Sequence, residues 1–340
     1  MTLIRPTAET TDASGTARRP GTSRWPGTGR IVAVLVLVPL GALAPLLGPS
    51  AALHGTGEAA APGVGGIALL RTVLFAALCV PLGELFVDRL ARRLPGAPPG
   101  RPRSWAAFAN AAGFVAALAL ASVVSTGNLI PHSPGQIDVG GLYDSRDGRL
   151  ALLEVNAFLL AAALSRRPAA RVWPGAAVVV AEALRAHPPT EHSPLIGSGL
   201  TLVHLTCAVL WTGGLLHALR TLRRWHGNAA GAMLLGLYAR VAAVLLAAIT
   251  ATGVCSSLRR MPPGTILDQL TTTAYGRTLL AKVVLVAAVA LLALWARVRL
   301  GRAADPLTAY VPARAEVIAL GAVVAVSGLL TALPLPIRWS

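Results

Sequence analysis

Charge is scarce in this chain: Asp, Glu, Lys and Arg make up 13% of its 340 residues, about half of the ~25% that a soluble domain carries. That shortage excludes a water-soluble domain large enough to do chemistry alone. Cysteine is rare as well. Cys79, Cys207 and Cys255 all fall in or beside apolar runs with no CxxC pair, which argues against a disulfide framework. Aromatic residues amount to 5% and never interleave with a basic face. The net charge of +16, from 30 Lys+Arg against 14 Asp+Glu, therefore does not describe a nucleic-acid binder, and no nucleic-acid partner is expected. No phosphate-cradling glycine loop is present, which disfavours an ATP-driven pump.

What the chain has instead is apolar residue, 54% of the total, with a mean hydropathy of +0.64. Residues 1–29, rich in Thr, Ala, Gly, Pro and Arg, read as a disordered cytoplasmic tail. Apolar runs follow at about 31–47, 66–87, 105–126, 149–165, 172–186, 197–219, 237–258, 277–297 and 314–334. Most approach the ~20 residues that cross ~30 Å of hydrocarbon, and the first, fourth and fifth are short. Backbone polar groups in lipid must be paired internally, so each run is expected to be a helix. The fold class is all-α: a polytopic transmembrane bundle of about nine spans, five in residues 30–186 and four in residues 187–340. Span one, followed by small residues at Ser50–Ala52, has a leader too long for a signal peptide and reads as an uncleaved anchor.

The arginines orient the bundle. Clusters precede span one and follow spans two, four, six and eight, at Arg89–Arg103, Arg166–Arg171, Arg220–Arg224 and Arg297–Arg302. By the positive-inside rule these five clusters lie in the cytoplasm, with the amino end inside and the carboxyl end outside. Trp105, Trp173, Trp225 and Trp295 mark the same interface. The expected location is the cell (plasma) membrane, multi-pass, with the lipid bilayer as the standing partner.

Candidate chemistry gathers at one outward junction. His187 ends span five, His192 lies in the loop, and His204 is about two turns into span six. Prolines 188, 189 and 194 restrict the loop between them. His204, Cys207 and Trp211 share a helical face at i, i+3, i+7, and Cys255 and Met261 end span seven. Imidazole, thioether and thiolate together suit a soft or borderline ion such as copper. The bland readings are a solvated loop histidine, a loop Met261 and two core cysteines. An imidazole inside lipid is harder to dismiss, because its cost there usually marks function. Glu84, Glu154, Asn156, Glu182 and Lys282 are the other polar groups within spans. Lys282 is expected either to neutralise Glu154 or Glu182 or to take part in transport. Glu84 and Asp88 beside Arg89 and Arg92 suggest an i,i+4 salt-bridge cluster at the interface.

His204-Leu-Thr-Cys-Ala-Val-Leu-Trp211-Thr-Gly213-Gly214-Leu-Leu resembles the His-Leu…Trp-x-Gly-Gly-Leu span of the copper resistance protein D (CopD) family. Thr273-Ala-Tyr275-Gly276-Arg277-Thr-Leu-Leu-Ala-Lys282 resembles that family's Thr-x-Tyr-Gly-Arg-x-Leu-x-x-Lys helix start, and Ala251-Thr-Gly253 its Thr-Gly step. Ala186-His187 is similar to the family's Gly-His. The first four spans match only in hydropathy. The resemblance implies copper handling across the cytoplasmic membrane at an outward-facing site containing His187 and His204. His192 has no family counterpart and enters by proximity alone.

The expected function is thus copper transport, as a permease with uptake favoured, and not an enzyme. Copper is the bound or carried ion, with His187, His204, His192 and Met261 as metal candidates and Glu182, Trp211, Lys282 and Glu154 along the path. An extracytoplasmic copper-binding protein would be the delivering partner. Two other classes stand beside this one. A membrane redox or cytochrome-oxidase assembly protein would need two axial haem ligands at one depth, which His204 and His217 do not offer. A structural scaffold would need no metal.

Overall fold

The structure, a computed structural model, describes residues 41 and 43–334 apart from 128, 132, 192, 226–227, 262–263 and 303–309. The expected tail, most of span one, and His192 lie outside the described residues. The chain forms α1 (Leu43–Leu53), α2 (Val64–Ala91), α3 (Ala106–Ser125), α4 (Val139–Asp144), α5 (Arg146–Ala163) and α6 (Val172–Arg185). Then come α7 (Pro194–Arg224), α8 (Ala229–Arg260), α9 (Ile266–Thr272), α10 (Ala274–Arg302) and α11 (Tyr310–Ala332). No strand occurs among the described residues.

Six of these helices are long and apolar enough to cross a membrane: α2, α3, α7, α8, α10 and α11. They account for six of the nine expected spans. The fourth and fifth expected spans become α5 and α6, which do not qualify on length and composition. The 18 residues of α5 include Arg146, Asp147, Arg149 and Glu154. The 14 residues of α6 reach about 21 Å at 1.5 Å per residue, short of a ~30 Å hydrocarbon layer. Both helices nevertheless pack into the bundle, α5 against α3 and α6, and α6 against α7.

Helix starts follow local chemistry. The Asn228 side chain accepts from Gly231 N at 2.9 Å to open α8, and Ser145 accepts from Gly148 N at 3.1 Å to open α5, each satisfying a donor that the first helical turn leaves unpaired. Before α7, Ser193 takes a left-handed φ of 57°, and Pro194 then supplies a preset helical φ at the first position. Thr273 plays the capping part for α10, accepting from Gly276 N at 3.0 Å.

The centre of the bundle is α2, which packs against α3, α7 and α11. Its crossing with α7 is made by two glycines. A Cβ on Gly213 would overlap the Cys79 carbonyl, and a Cβ on Gly83 would overlap the Gly213 backbone, so the helix backbones touch, as small residues permit in lipid. One apolar core joins α2, α7, α8, α10 and α11 through Val87, Leu215, Leu234, Val289 and Leu320. A second joins α2 to α3, α5 and α6 through Leu74, Leu120, Phe158 and Val178.

Polar groups collect at two opposite ends of the bundle. At one end lie His187, Arg185, Arg71 and the ends of α5, α6, α7 and α8. At the other lie Glu84, Trp105, Arg171, Arg220 and Trp225. The arginines at the second end are tied down: Arg220 donates to Glu84 at 3.1 Å and stacks 3.7 Å above the Trp105 ring. The expected Glu84–Asp88–Arg89–Arg92 cluster on one helix is corrected. Glu84 instead meets Arg171 and Arg220, and Asp88 meets His217 and Arg101, because these partners reach the two carboxylates from outside α2.

Candidate functional site

His187 sits just past α6, almost wholly buried at 2% exposure. Its Nδ1 lies 2.5 Å from Glu191 Oε2 and its Nε2 lies 2.9 Å from Thr201 Oγ1. A carboxylate only accepts, so Nδ1–H donates to Glu191 and Nε2 accepts from the hydroxyl in a neutral ring. Burial pushes the imidazole pKa below its usual value, outweighing the nearby Glu191 carboxylate, and Arg260 and Arg259 act in the same direction as burial. Space for the ring exists because position 197 is glycine, where a Cβ would strike the imidazole. Around it the loop is held by arginines: Arg146 Nη2 donates to Leu184 O at 2.7 Å, Arg259 Nη2 to Ser193 O at 3.1 Å, and Arg260 Nη1 to Tyr275 Oη at 3.3 Å.

His204, one turn below Thr201 on α7, faces α8. Its Nδ1 lies 3.0 Å from Thr252 Oγ1, while that hydroxyl reaches its own helix at Ala248 O, 2.7 Å away. A hydroxyl has one proton, and it is spent on the carbonyl, so Thr252 accepts from His204 Nδ1–H. The tautomer this selects leaves the Nε2 lone pair available. A metal-ligating imidazole is commonly oriented in this way, by a hydrogen bond on its other nitrogen. Gly253 lies beside the ring, where a Cβ would sit 3.6 Å from Cε1. The Thr-Gly step picked out in the sequence is thus the wall against which His204 is oriented.

The remaining sequence candidates separate. Met261 is buried at 1% exposure, directly after α8. Lys282 on α10 is an electrostatic neighbour of His204 and of Arg260. The expected pairing of Lys282 with Glu154 or Glu182 is corrected: Glu154 Oε1 is 2.6 Å from Arg185 Nη2, and Glu182 is bonded to Arg71, with one contact at 2.6 Å. Arginines from α2 and α6 satisfy these carboxylates, and among the described residues Lys282 makes no ion pair. Trp211 is buried at 3%, and its carbonyl accepts from Tyr238 Oη at 2.5 Å. Among the described residues, no three His, Cys, Asp or Glu side chains converge as a preformed metal cage. His187 and His204 stay linked through Thr201 and the first turns of α7 rather than by direct contact.

Two features escaped the sequence reading: the partner of His217, and Glu316. His217 Nε2 lies 3.3 Å from Asp88 Oδ1 at the end of the bundle away from His187. Thirteen residues on one helix put His217 about 20 Å from His204, so the two cannot share one haem. Glu316, buried at 4%, lies in the last span. A lone carboxylate in an apolar run was the signal available for it.

The Tyr275-Gly276-Arg277 motif also has a structural account. Gly276 lies against the Gln269–Leu270 backbone, where a Cβ would overlap it. Arg277 bridges α9 and the turn after α1, donating to Thr271 O at 2.7 Å and to His54 O at 2.6 Å. This is the junction that carries α9 into α10 beside Arg260.

No curated protein and no solved structure matches the chain. Residues 232–330, from α8 to α11, match the family model described as Copper resistance protein D. This stretch contains Thr252, Tyr275, Lys282 and Glu316 and begins after His187 and His204. That stretch is thus similar to the CopD family, and six helices long and apolar enough to cross a membrane make the chain a multi-pass membrane protein.

Proposed function

We propose that the chain is a copper permease of the cell membrane, and not an enzyme, with copper entering at the His187 end and passing between α7 and α8. The single observation that carries this is the 3.0 Å contact between His204 Nδ1 and Thr252 Oγ1: with the threonine proton on Ala248 O, it favours the tautomer whose Nε2 lone pair can meet an ion. Copper is the cargo here, held transiently by imidazole and not resident in a closed cage.

His187 is the entry ligand in this reading. Its Nε2 exchanges the Thr201 hydroxyl for copper while Glu191 keeps the ring oriented through Nδ1. His192, by its place in the sequence, and Met261 are further candidate ligands, and an extracytoplasmic copper-binding protein delivers at this end. Lys282, Arg259 and Arg260 make the mouth electropositive, which favours ligand exchange from a carrier over capture of a free cation. Glu154 and Glu182 serve as the paired scaffold around the path, and Trp211 closes it towards the far end.

The orientation follows the arginine clusters, with the amino end inside, the carboxyl end outside and about nine crossings if α1, α5 and α6 each pass the bilayer. Inward movement is the favoured direction, since a monovalent cation gains ~2.3 kcal/mol per 100 mV. The test is copper accumulation in cells with and without the protein, alongside reporter fusions in the 187–193 loop. Raised accumulation with an external loop is expected. Unchanged accumulation, or an internal loop, sinks the reading.

A further inference from the structure

A cavity of about 120 Å³ lies between α7, α8, α10 and α11, in the half of the bundle away from His187. That is room for several water molecules. Its walls are mostly alanine and leucine, with Trp211, Tyr238, Arg297 and Glu316 as the exceptions. Glu316 is 4% exposed and has Trp211 as its hydrogen-bonding neighbour.

Glu316 differs from the other buried glutamates of this bundle. Glu84, Glu154 and Glu182 each have an arginine within ion-pair distance. Among the described residues Glu316 has none, although Arg297 is an electrostatic neighbour. The Arg297 guanidinium is instead hydrogen-bonded to the Ala239 carbonyl. A buried carboxyl without a paired cation is expensive as an ion, and in membrane proteins such groups mark proton or ion pathways. The aliphatic walls decide between those two. A metal cation such as Ca²⁺ needs several oxygen ligands, and the side chains lining this cavity offer only the Glu316 carboxyl and the Tyr238 hydroxyl, which is already donated to the Trp211 carbonyl. A proton needs one oxygen.

We propose that Glu316 is a proton-binding carboxyl that loads and unloads through this cavity, and that its loading is coupled to the movement of copper. The step is a simple transfer: a carboxylate oxygen takes a proton from water in the cavity, and returns it to water on release. The coupling clause rests on the permease reading; the proton site itself does not.

The groups facing Glu316 are few. From α8 comes Tyr238, and from α10 Arg297. The α7 wall contributes Trp211 and Leu215, neither of which titrates. Nearby on α2 are Val87 and Leu90 of the shared core, while Asp88 between them is committed to His217 and Arg101. On α11 itself the nearest charge is Arg314.

The test uses the full chain in lipid nanodiscs and infrared difference spectra between buffered pH steps, in light and heavy water. Wild type is expected to show a carboxyl C=O band that shifts in heavy water and is missing in Glu316→Gln. Identical spectra for the two would overturn the proton site. If Glu316→Gln does not fold, Glu316→Asp decides: a band at a changed frequency supports the assignment, and an unchanged spectrum overturns it. A second arm follows copper uptake into proteoliposomes with and without an imposed pH gradient. Wild type should respond to the gradient, and Glu316→Gln should not. Uptake that ignores the gradient in wild type overturns the coupling and leaves the permease standing. No uptake at all counts against the permease, while the infrared arm still judges Glu316.

Discussion

His204 and Thr252 face each other across the α7–α8 interface, ring nitrogen to hydroxyl oxygen at 3.0 Å. Because the threonine proton is committed to Ala248 O, the pair acts in one sense, with imidazole donating and hydroxyl accepting. Thr252→Val removes the acceptor without changing side-chain volume. It should weaken copper binding about 10–100-fold, the usual cost of losing a partner that orients a ligand. Thr252→Ser should retain binding. His204→Ala should lose at least as much while the protein stays inserted. Copper titration of purified variants checks this, and a Thr252→Val protein that binds as wild type would detach Thr252 from the site.

His187 carries a pH prediction. Burial favours its neutral form, so the folded state binds its proton less readily than the unfolded chain does. The unfolded state then takes up more protons as pH falls below its usual value of about 6.5, and stability rises with pH through that window. The contribution of His187 is complete above about 6.5 and is lost as pH drops towards its lowered folded value. Thermal unfolding across that range should show the loss in wild type and a shallower slope in His187→Gln. Equal slopes would mean that the imidazole is not held neutral.

Hydropathy made six spans legible because a bilayer requires long apolar helices, and each can be read one helix at a time. The orienting role of Thr252 was half legible: the Thr-Gly step stood out, but its partner lay 48 residues away on another helix. Ion pairs were the least legible. Nothing in the spacing tells Glu154 to choose Arg185 over Lys282, since that choice depends on which helix faces pack. The short α5 and α6 were legible as apolar runs, yet their charges and length mattered only once the bundle was assembled. Glu316 is the third residue of the last apolar run, where a carboxylate reads as interfacial, and its burial depends on how α11 packs.

The α2–α7 crossing carries a packing prediction. Gly213 and Gly83 bring two backbones into contact, and a Cβ on either overlaps main-chain atoms that cannot rotate away. Gly213→Ala should therefore force the helices apart and destabilise by about 1–3 kcal/mol, the range for overpacking. Gly236→Ala on α8, where a Cβ would meet nothing within 4 Å, should be neutral or slightly stabilising through helix propensity, by up to about 1 kcal/mol. Comparing the two in one unfolding assay separates close approach from the general effect of replacing glycine in a helix.

The last prediction concerns the charges behind His187. Arg185 reaches Glu154 at 2.6 Å and Glu182 at 3.8 Å, and Glu182 is also bonded to Arg71, so two arginines neutralise two glutamates at one end of the bundle. Removing one member leaves an uncompensated buried charge, which costs about 3–5 kcal/mol, whereas removing both ends of a pair can be nearly neutral. Glu154→Gln should leave Arg185 with Glu182 and lower protein abundance moderately. Arg185→Met should be more damaging, because it frees Glu154 altogether. The double change Arg185→Met with Glu154→Gln should recover most of the abundance. Lys282→Met should not be rescued by altering either glutamate, because neither is its partner. Abundance in membranes, with copper uptake measured on the same cells, reads out both points. Recovery of Lys282→Met by Glu154→Gln would mean that the lysine, and not Arg185, is what holds Glu154 in the membrane.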